Sequence, residues 1–307
     1  MTGPNPAERL VDLLNLEEID LNIFRGRSPR ESLQRVFGGQ VAGQALVAAG
    51  RTVDEDRPVH SLHAYFLRPG IPGVPIVYQV ERVRDGRSFT TRRVIAVQRG
   101  RTIFNLTASF HVREPGFEHQ MPMPEVPDPE SLPRLADEVR QQLGALPEPL
   151  ERMARRQAFD LRYVDRLRWS SEELAGAEPR SAVWMRAMGS LGGDPLVHTC
   201  ALTYASDMTL LDAVRLPIEP LWGPRSFDTA SLDHAMWFHR PFRADEWFLY
   251  QQESPIATGA RGLARGQIFD RKGNLIVSVM QEGLFRPHSP EPETSSSGEA
   301  RGETPAR

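Results

Sequence analysis

The chain has 307 residues and a net charge of −3, and 40% of its residues are hydrophobic. This balance predicts a globular protein with a packed core and excludes the strongly basic surface that is typical of nucleic-acid binders. The one cysteine, Cys200, cannot form an intrachain disulfide, and its apolar neighbours favour a buried, inert thiol over a nucleophile. No apolar run reaches the roughly 18 residues of a membrane-spanning helix and no targeting segment is visible, so we expect a cytoplasmic protein.

The N-terminal third predicts two helices followed by an antiparallel sheet. Leucines at helical spacing predict a helix over residues 7–24, and the small-residue run 39–53 predicts a helix that is buried on nearly every side. Four β-rich or alternating stretches follow, and the Arg-Gly-Arg at 99–101 between the last two is a hairpin signal. The predicted strands cover residues 61–67, 76–83, 89–98 and 102–112.

Residues 113–157 interrupt this pattern. Eight prolines fall within residues 113–150, which is too dense for a sheet because proline lacks the N–H group that a ladder needs. We therefore expect a linker that carries one short helix, over about residues 132–143. Residues 288–307 are dominated by Ser, Glu, Pro, Gly and Thr, and this composition predicts a disordered tail.

Residues 158–287 again predict a buried helix followed by four strands, and two further strands precede this helix. Residues 158–168 and 182–188 predict strands, and the largely apolar run 196–214 predicts a second buried helix. Four more strands are predicted, at residues 228–238, 246–253, 262–269 and 274–285.

An internal repeat relates the two parts of the chain. An offset of 172 residues maps tyrosine 78 onto 250, glutamate 81 onto 253 and arginine 93 onto 265, and a slip of one residue at the final hairpin extends the match. The chain therefore predicts an α+β fold of two tandem helix-plus-antiparallel-sheet units, residues 1–112 and 158–287. We expect the two sheets to join edge to edge, because an open edge favours aggregation.

A long helix wrapped by an antiparallel sheet and duplicated in one chain is the double hotdog arrangement. Five motifs resemble those of bacterial acyl-CoA thioesterase II, the TesB type, and the likeness runs from about residue 8 to residue 287 in unbroken order. The motifs are Phe37–Ala45, Val59–Pro69, Tyr204–Asp207, Leu232–Phe242 and Gln281–Gly283. The resemblance implies one continuous sheet wrapped around two central helices, hydrolysis of acyl-CoA to a fatty acid and CoA (EC 3.1.2.-), no cofactor, and a homodimer or homotetramer.

Three polar residues stand out in apolar surroundings. Asp207 lies in the predicted helix 196–214, where a buried carboxylate is costly unless it has partners. Gln281 shares a strand face with valines, and the repeat gives it Ala108 as a counterpart, so this polar group is confined to one unit. Ser231 begins an alternating stretch whose period of two puts it on the face opposite to His234. A purely structural role is the alternative for each of the three.

The resemblance implies that these three residues form one set. Asp207 is then the general base on a water molecule, and Ser231 and Gln281 orient that water. Ser231 stands where some relatives have Thr, which keeps the hydroxyl and loses the methyl group. The chain has no Gly-x-Ser-x-Gly motif, so a nucleophilic-serine hydrolase is not expected.

Further site candidates surround this set. The start of the predicted helix, with Gly39 and Gln40, could supply backbone N–H groups to the oxyanion, and His60 lies in a Val-His-Ser motif of the family. A structural histidine is the alternative for His60. Basic residues should bind the CoA phosphates, although arginines on a sheet often only face solvent. The candidates are Arg84, Arg87, Arg92, Arg93, Arg261 and Arg265.

Two alternative functions belong to other classes. A hotdog hydratase would act on enoyl-CoA, but its chemistry pairs an Asp with a His at a helix start, and no His follows Asp207 within one helical turn. A non-catalytic acyl-CoA sensor would need an apolar tunnel but no buried carboxylate. No histidine pair has the spacing of zinc ligands, so no metal is expected.

Overall fold

The computed structural model describes residues 4–30, 35–144, 157–165, 177–218 and 227–288. The predicted disordered tail lies outside these ranges, except for its first residue. The helices are α1 (Pro6–Leu14), α2 (Gly38–Gly50), α3 (Leu135–Leu143), α4 (Pro195–Ser206) and α5 (Asp212–Arg215). The strands before α3 are β1 (Glu17–Asp20), β2 (Ile23–Gly26), β3 (Val59–Phe66), β4 (Ile76–Asp85), β5 (Phe89–Gln98) and β6 (Arg101–His111). The strands after α3 are β7 (Phe159–Tyr163), β8 (Arg180–Ala187), β9 (Phe227–Ser231), β10 (Asp233–Phe238), β11 (Phe248–Thr258), β12 (Arg261–Asp270) and β13 (Leu275–Pro287).

All of these strands belong to one antiparallel sheet, in the order β1-β2-β4-β5-β6-β3-β10-β13-β12-β11-β8-β7, with β9 paired to the end of β13. Strands β3 and β10 pair with each other and so join the first unit to the second. The central helix α2 lies against the strands of the first unit and packs on α4, while the short α5 lies against β8, β11 and β12 of the second unit. The buried apolar side chains of both units form one core cluster. The predicted α+β double hotdog with a continuous sheet is therefore confirmed.

The repeat is visible in matched contacts. The carboxylate of Glu81 pairs with Arg93 across β4 and β5, and that of Glu253 pairs with Arg265 across β11 and β12, each at 2.5 Å. The tyrosines that the same offset relates are both fully buried, and each hydroxyl donates to its unit's central helix. Each unit therefore ties its sheet to its central helix through a tyrosine hydroxyl, which donates to the Gln44 side chain in the first unit and to the Ser206 backbone carbonyl in the second.

Glycines let the two central helices pack closely against each other. A β-carbon added at Gly43 would lie 3.0 Å from the carbonyl oxygen of Cys200, and one added at Gly39 would collide with the carbonyl oxygen of Tyr204. Gly50, at the other end of α2, meets Leu196, so the helices run antiparallel. The Cys200 thiol is buried in this contact, and burial raises its pKa well above the usual value, as expected of an inert thiol.

The prediction of one helix over residues 7–24 was wrong. Helix α1 ends at Leu14, and strands β1 and β2 form a hairpin whose turn places Asn22 in the left-handed region, at φ 61°. Strand β2 pairs with β4 and buries Phe24, while Leu21 at the turn is exposed. Hydrogen bonding to the sheet edge therefore outweighs the helical spacing of the later apolar residues.

Two predicted elements of the second unit are interrupted. The helix 196–214 stops at Ser206, continues as turns and resumes as the short α5. The strand 228–238 breaks at Leu232, whose N–H donates to the Glu282 carbonyl oxygen while its own carbonyl accepts from the Phe66 N–H. Because the register shifts at Leu232, Ser231 and His234 both reach the helix side of the sheet, against the alternation that separated them.

The proline-rich linker is packed onto the outer face of the second unit. Trp184, Trp247, Leu249 and Phe269 form a separate apolar cluster there, and linker residues that include Met123, Val126 and Leu132 cover it. The Trp184 indole N–H donates to the Pro127 carbonyl oxygen at 2.9 Å. A 3₁₀ turn at Pro129–Ser131 precedes α3, so the short helix begins three residues later than predicted.

We expect Gly43→Val to lower the free energy of unfolding by about 1–3 kcal/mol, because a side chain at this position must separate α2 from α4. Denaturant unfolding followed by circular dichroism measures the change. The matched control is Gly116→Val, where an added β-carbon meets no atom within 4 Å. Equal stability of the two variants would contradict the proposed tightness of the helix contact.

Candidate active site

Asp207 lies where the two central helices meet. It directly follows α4, and its half-buried carboxylate points at the first residue of α2, Gly38. A β-carbon added at Gly38 would lie 2.6 Å from Asp207 Oδ2 and 2.9 Å from the ring of Phe66, so only glycine leaves room for the carboxylate here. The first N–H groups of a helix have no partner inside the helix and favour negative charge, which suits this position.

Two side chains from the sheet donate to the same oxygen of Asp207. Ser231 Oγ donates to Oδ1 at 3.0 Å, and Gln281 Nε2 donates to Oδ1 at 2.5 Å. Ser231 ends β9, and its backbone register with Gly283 on β13 puts it beside Gln281. The structure thus brings together the three residues that the sequence selected, from a helix end and two neighbouring strands.

The amide of Gln281 has one allowed orientation. A carboxylate only accepts hydrogen bonds, so the Gln281 nitrogen must face Asp207. The side chain is 1% exposed, and its Oε1 has no hydrogen-bond partner among the described residues. Its repeat counterpart, Ala108, is fully buried, so the same position in the first unit belongs to the apolar core.

His60 is not brought to this cluster. Its Nε2 lies 2.8 Å from Ser109 Oγ, and its ring contacts Phe89 and His111. Burial, together with His111, lowers the pKa of His60. None of these contacts involves Asp207, Ser231 or Gln281, so the structure favours the structural alternative for His60.

The candidates at the start of α2 have packing roles. Gly39 permits the close approach of Tyr204, and the Gln40 side chain donates to the Arg27 carbonyl oxygen at 3.0 Å. Gln40 is 5% exposed, and its amide holds the segment before α2 in place. The residue that faces Asp207 at this helix start is Gly38.

His234 is the residue that sequence reasoning missed. It is completely buried, its Nε2 lies 2.8 Å from Ser206 Oγ, and burial lowers its pKa. The repeat contained a signal for His234, because the offset of 172 residues pairs it with the apolar Leu62 and so places a polar residue at a core position.

Comparisons with known proteins follow the same division into two units. The chain matches the model of an acyl-CoA thioesterase N-terminal domain over residues 27–111 and that of acyl-CoA thioesterase over residues 153–284. It is 43% identical over 280 residues to Acyl-CoA thioesterase 2 of Haemophilus influenzae, an alignment that covers 90% of this chain and 96% of that protein. The chain belongs to the TesB-type acyl-CoA thioesterase II family.

Other relatives agree with this assignment. Human Acyl-coenzyme A thioesterase 8 is 43% identical over 286 residues, which is 90% of this chain and 88% of that protein. The crystal structure of acyl-CoA thioesterase II TesB2 from Mycobacterium marinum superposes with a TM-score of 0.75 at 44% identity, over 91% of this chain and 99% of that chain.

Arg92 was predicted as a phosphate ligand of this thioesterase, and that prediction was wrong. Its side chain is 1% exposed, donates to Thr52 and pairs with Asp85 at 2.6 Å. Its guanidinium joins β4, β5 and the end of α2 inside the protein, where CoA phosphates cannot reach it.

The other predicted phosphate ligands do not converge on one place. Arg93, Arg265 and Arg261 pair with glutamates on neighbouring strands. Arg84 and Arg87 are exposed near the turn between β4 and β5. The described contacts of these five residues do not include any member of the Asp207 cluster.

A cleft of about 120 Å³ opens beside Ser231. It is lined by Arg35, Leu211, Asp212, Arg215, Thr229, Ala230, Ser231 and Phe285. Arg35 is exposed at the cleft, and its guanidinium donates to the Thr229 carbonyl oxygen on β9. A larger cavity of about 750 Å³ lies beside α1, but its lining carries both charge signs and includes no residue of the Asp207 cluster.

Two further observations concern cofactors and membranes. In the part of the chain that the structure describes, no three His, Cys, Asp or Glu side chains come together as a metal site would require. None of the helices in the described ranges is long and apolar enough to cross a membrane.

We expect Gly38→Ala to lower turnover of the thioesterase by about 10- to 100-fold, because the new methyl group displaces the Asp207 carboxylate. Initial rates of thiol release measure this effect, and a thermal melt establishes that the variant is folded. Gly193→Ala is the control, since a β-carbon there meets nothing within 4 Å. Wild-type turnover in Gly38→Ala would show that the carboxylate position is not critical.

Proposed function

We propose that this thioesterase hydrolyses acyl-CoA by direct attack of a water molecule that Asp207 activates and that Ser231 and Gln281 help to orient. The observation that carries the proposal is the convergence of two side-chain donors on one oxygen of Asp207. Those bonds fix the carboxylate in one orientation, with Oδ2 directed toward the start of α2. A general base that is held in this way contributes roughly 10²–10⁴-fold to the rate.

The reaction balances without a cofactor. Asp207 takes a proton from the water molecule while the water oxygen forms a bond to the thioester carbonyl carbon. This step produces a tetrahedral oxyanion. The oxyanion then collapses, the carbon–sulfur bond breaks, and the proton on Asp207 passes to the CoA thiolate. The products are the fatty acid and CoA, and Asp207 returns to its ionised form.

The start of α2 is suited to stabilise the oxyanion. Its cap residue, Phe37, makes no side-chain hydrogen bond to the helix, and Gly38 follows it beside Asp207 Oδ2. Backbone N–H groups in the first turn of a helix therefore lie next to the base. Loss of one such donor costs roughly 10²–10³-fold in other acyl-transfer enzymes.

The cleft beside Ser231 is the proposed entrance for the substrate. Its volume of about 120 Å³ suits the thioester group and its nearest atoms, and Leu211, Ala230 and Phe285 give it apolar walls. Arg35 at the cleft is exposed, and its planar guanidinium matches a phosphate group. We infer that Arg35 contacts a phosphate of CoA.

We expect Asp207→Asn to lower thiol release from palmitoyl-CoA by about 10²–10⁴-fold while acyl-CoA binding persists. The asparagine oxygen can still accept from Ser231 and Gln281, so the substitution removes the base and preserves the shape of the site. Single-turnover kinetics measure the chemical step, and calorimetry measures binding.

The control for this experiment is Asp137→Asn, which changes an exposed carboxylate on α3 that pairs with Arg140. The control should keep wild-type kinetics. Full activity of the Asp207 variant would overturn the water-activation mechanism while leaving the thioesterase assignment intact.

We expect Arg35→Ala to raise KM for acyl-CoA by about tenfold, since a charge-assisted hydrogen bond is worth about 1.5 kcal/mol. The same variant should leave KM unchanged for an acyl thioester of N-acetylcysteamine, which has no phosphate. Arg93→Ala is the matched control, because Arg93 pairs with Glu81 in the sheet. An equal rise in KM for both substrates would instead indicate that Arg35 supports β9 through its hydrogen bond to Thr229.

A homodimer or homotetramer and a cytoplasmic location stay predictions for this thioesterase. The outer face of the sheet at the junction of the units is compatible with self-association, since it exposes Tyr65 and Met280 near the edge-to-face rings of His63 and Trp237.

A further inference from the structure

A buried polar pair lies on the inner face of the sheet in the second unit. In the pairing of β10 with β13, Ala235 lies opposite Met280 and Met236 opposite Val279. The next position in the same register places His234 opposite Gln281. Both side chains are essentially inaccessible to solvent, at 0% and 1% exposure. Directly opposed residues have their β-carbons about 4.5–5.5 Å apart, so the imidazole and the amide are neighbours.

The first unit provides an internal comparison for this pair. Its corresponding strands, β3 and β6, place Leu62 directly opposite Ala108, and both are fully buried. These are the residues that the repeat aligns with His234 and Gln281. The same sheet position is therefore filled by an apolar pair in one unit and by a polar pair in the other. Packing alone does not require the polar pair, because the fold accepts leucine and alanine at these positions.

Each member of the polar pair keeps one unsatisfied atom. His234 Nδ1 and Gln281 Oε1 are buried and have no hydrogen-bond partner among the described residues. An unsatisfied buried polar atom lowers the stability of the fold. A residue retained at such a cost points to a role other than stability.

The remaining nitrogen of His234 is tied to the end of α4. Ser206 Oγ lies 2.9 Å from the Thr203 carbonyl oxygen and 2.8 Å from His234 Nε2. Because the hydroxyl has one hydrogen and the carbonyl only accepts, Ser206 donates to Thr203 and accepts from Nε2–H of His234. Ser206 is the residue before Asp207, so this bond anchors the helix end that carries the carboxylate.

We propose that His234 is a positioning residue of the thioesterase, which holds Asp207 through Ser206 while its cross-strand neighbour Gln281 holds the carboxylate directly. This inference rests on the proposed role of Asp207 as the base. The hydroxyl of Tyr250 completes the anchor, since it donates to the carbonyl oxygen of Ser206 at 3.1 Å. The ring acts in its neutral form, with one nitrogen donating and the other bearing a lone pair.

The test is His234→Leu, which copies the residue of the first unit and is therefore expected to fold. We expect kcat to fall by about 10- to 100-fold with KM unchanged, because the base is displaced and the substrate contacts are not. The thermal midpoint should stay the same or rise. His234→Gln, whose amide can replace the Nε2–H donor, should recover most of kcat.

A double-mutant experiment tests whether His234 acts through Asp207. In an Asp207→Asn background, His234→Leu should cause no further loss, whereas a general structural effect would lower the residual rate as well. If His234→Leu does not fold, Ser206→Ala takes its place in both backgrounds, since it removes the acceptor of the same bond.

Three outcomes would overturn the proposal. The first is a wild-type kcat in folded His234→Leu, and the second is no recovery of kcat in His234→Gln. The third is a loss of rate from His234→Leu that is as large in the Asp207→Asn background as in the wild-type enzyme. Failure of the proposed mechanism is distinguishable, because it would show as full activity of Asp207→Asn alone, whatever the result at position 234.

Discussion

The close contact between the two central helices determines where Asp207, the proposed base of this thioesterase, lies. Glycines on α2 bring its backbone against that of α4, and the antiparallel arrangement puts the start of one helix at the end of the other. Asp207 and Gly38 meet at that point. A carboxylate therefore lies beside the N-terminal end of a helix, where partial positive charge and free N–H groups are concentrated. Larger side chains along α2 would separate these two helix ends.

The two units are related by an internal repeat, yet the proposed site is asymmetric. Both units retain a buried tyrosine that ties the sheet to the central helix and an ion pair of glutamate with arginine between neighbouring strands. They differ at the inner face, where Leu62 and Ala108 of one unit correspond to His234 and Gln281 of the other. One unit can thus supply apolar core while the other bears the energetic cost of buried polar groups. The shared sheet, joined at β3 and β10, lets the first unit support the second.

Several arginine side chains of this protein hold structural elements together. Arg92 is buried and ties two strands to the end of α2, and Arg271 holds the linker to the second unit through Glu130. Arginines on the outer sheet face form cross-strand pairs with glutamates, as Arg261 does with Glu282. Arginine-rich stretches in the sequence are therefore poor guides to a phosphate site in this fold, because the pleat of the sheet already gives those side chains carboxylate partners.

The sequence by itself determined the two units and most of their helices and strands, because hydrophobic periodicity and a repeat at a nearly constant offset are local, readable signals. Asp207, Ser231 and Gln281 were selected as one set through the family resemblance, and their catalytic role stays a proposal. Sequence reasoning failed where long-range pairing overrode local pattern. The edge of the sheet drew residues 17–26 into a hairpin, and the register shift at Leu232 turned Ser231 and His234 toward the same side. Only the tertiary structure decided that Arg92 is core, that His60 lies apart from the carboxylate, and that His234 is joined to Asp207 through Ser206. Those outcomes depend on which strands and helices become neighbours, and a single strand's alternation carries no information about its neighbours.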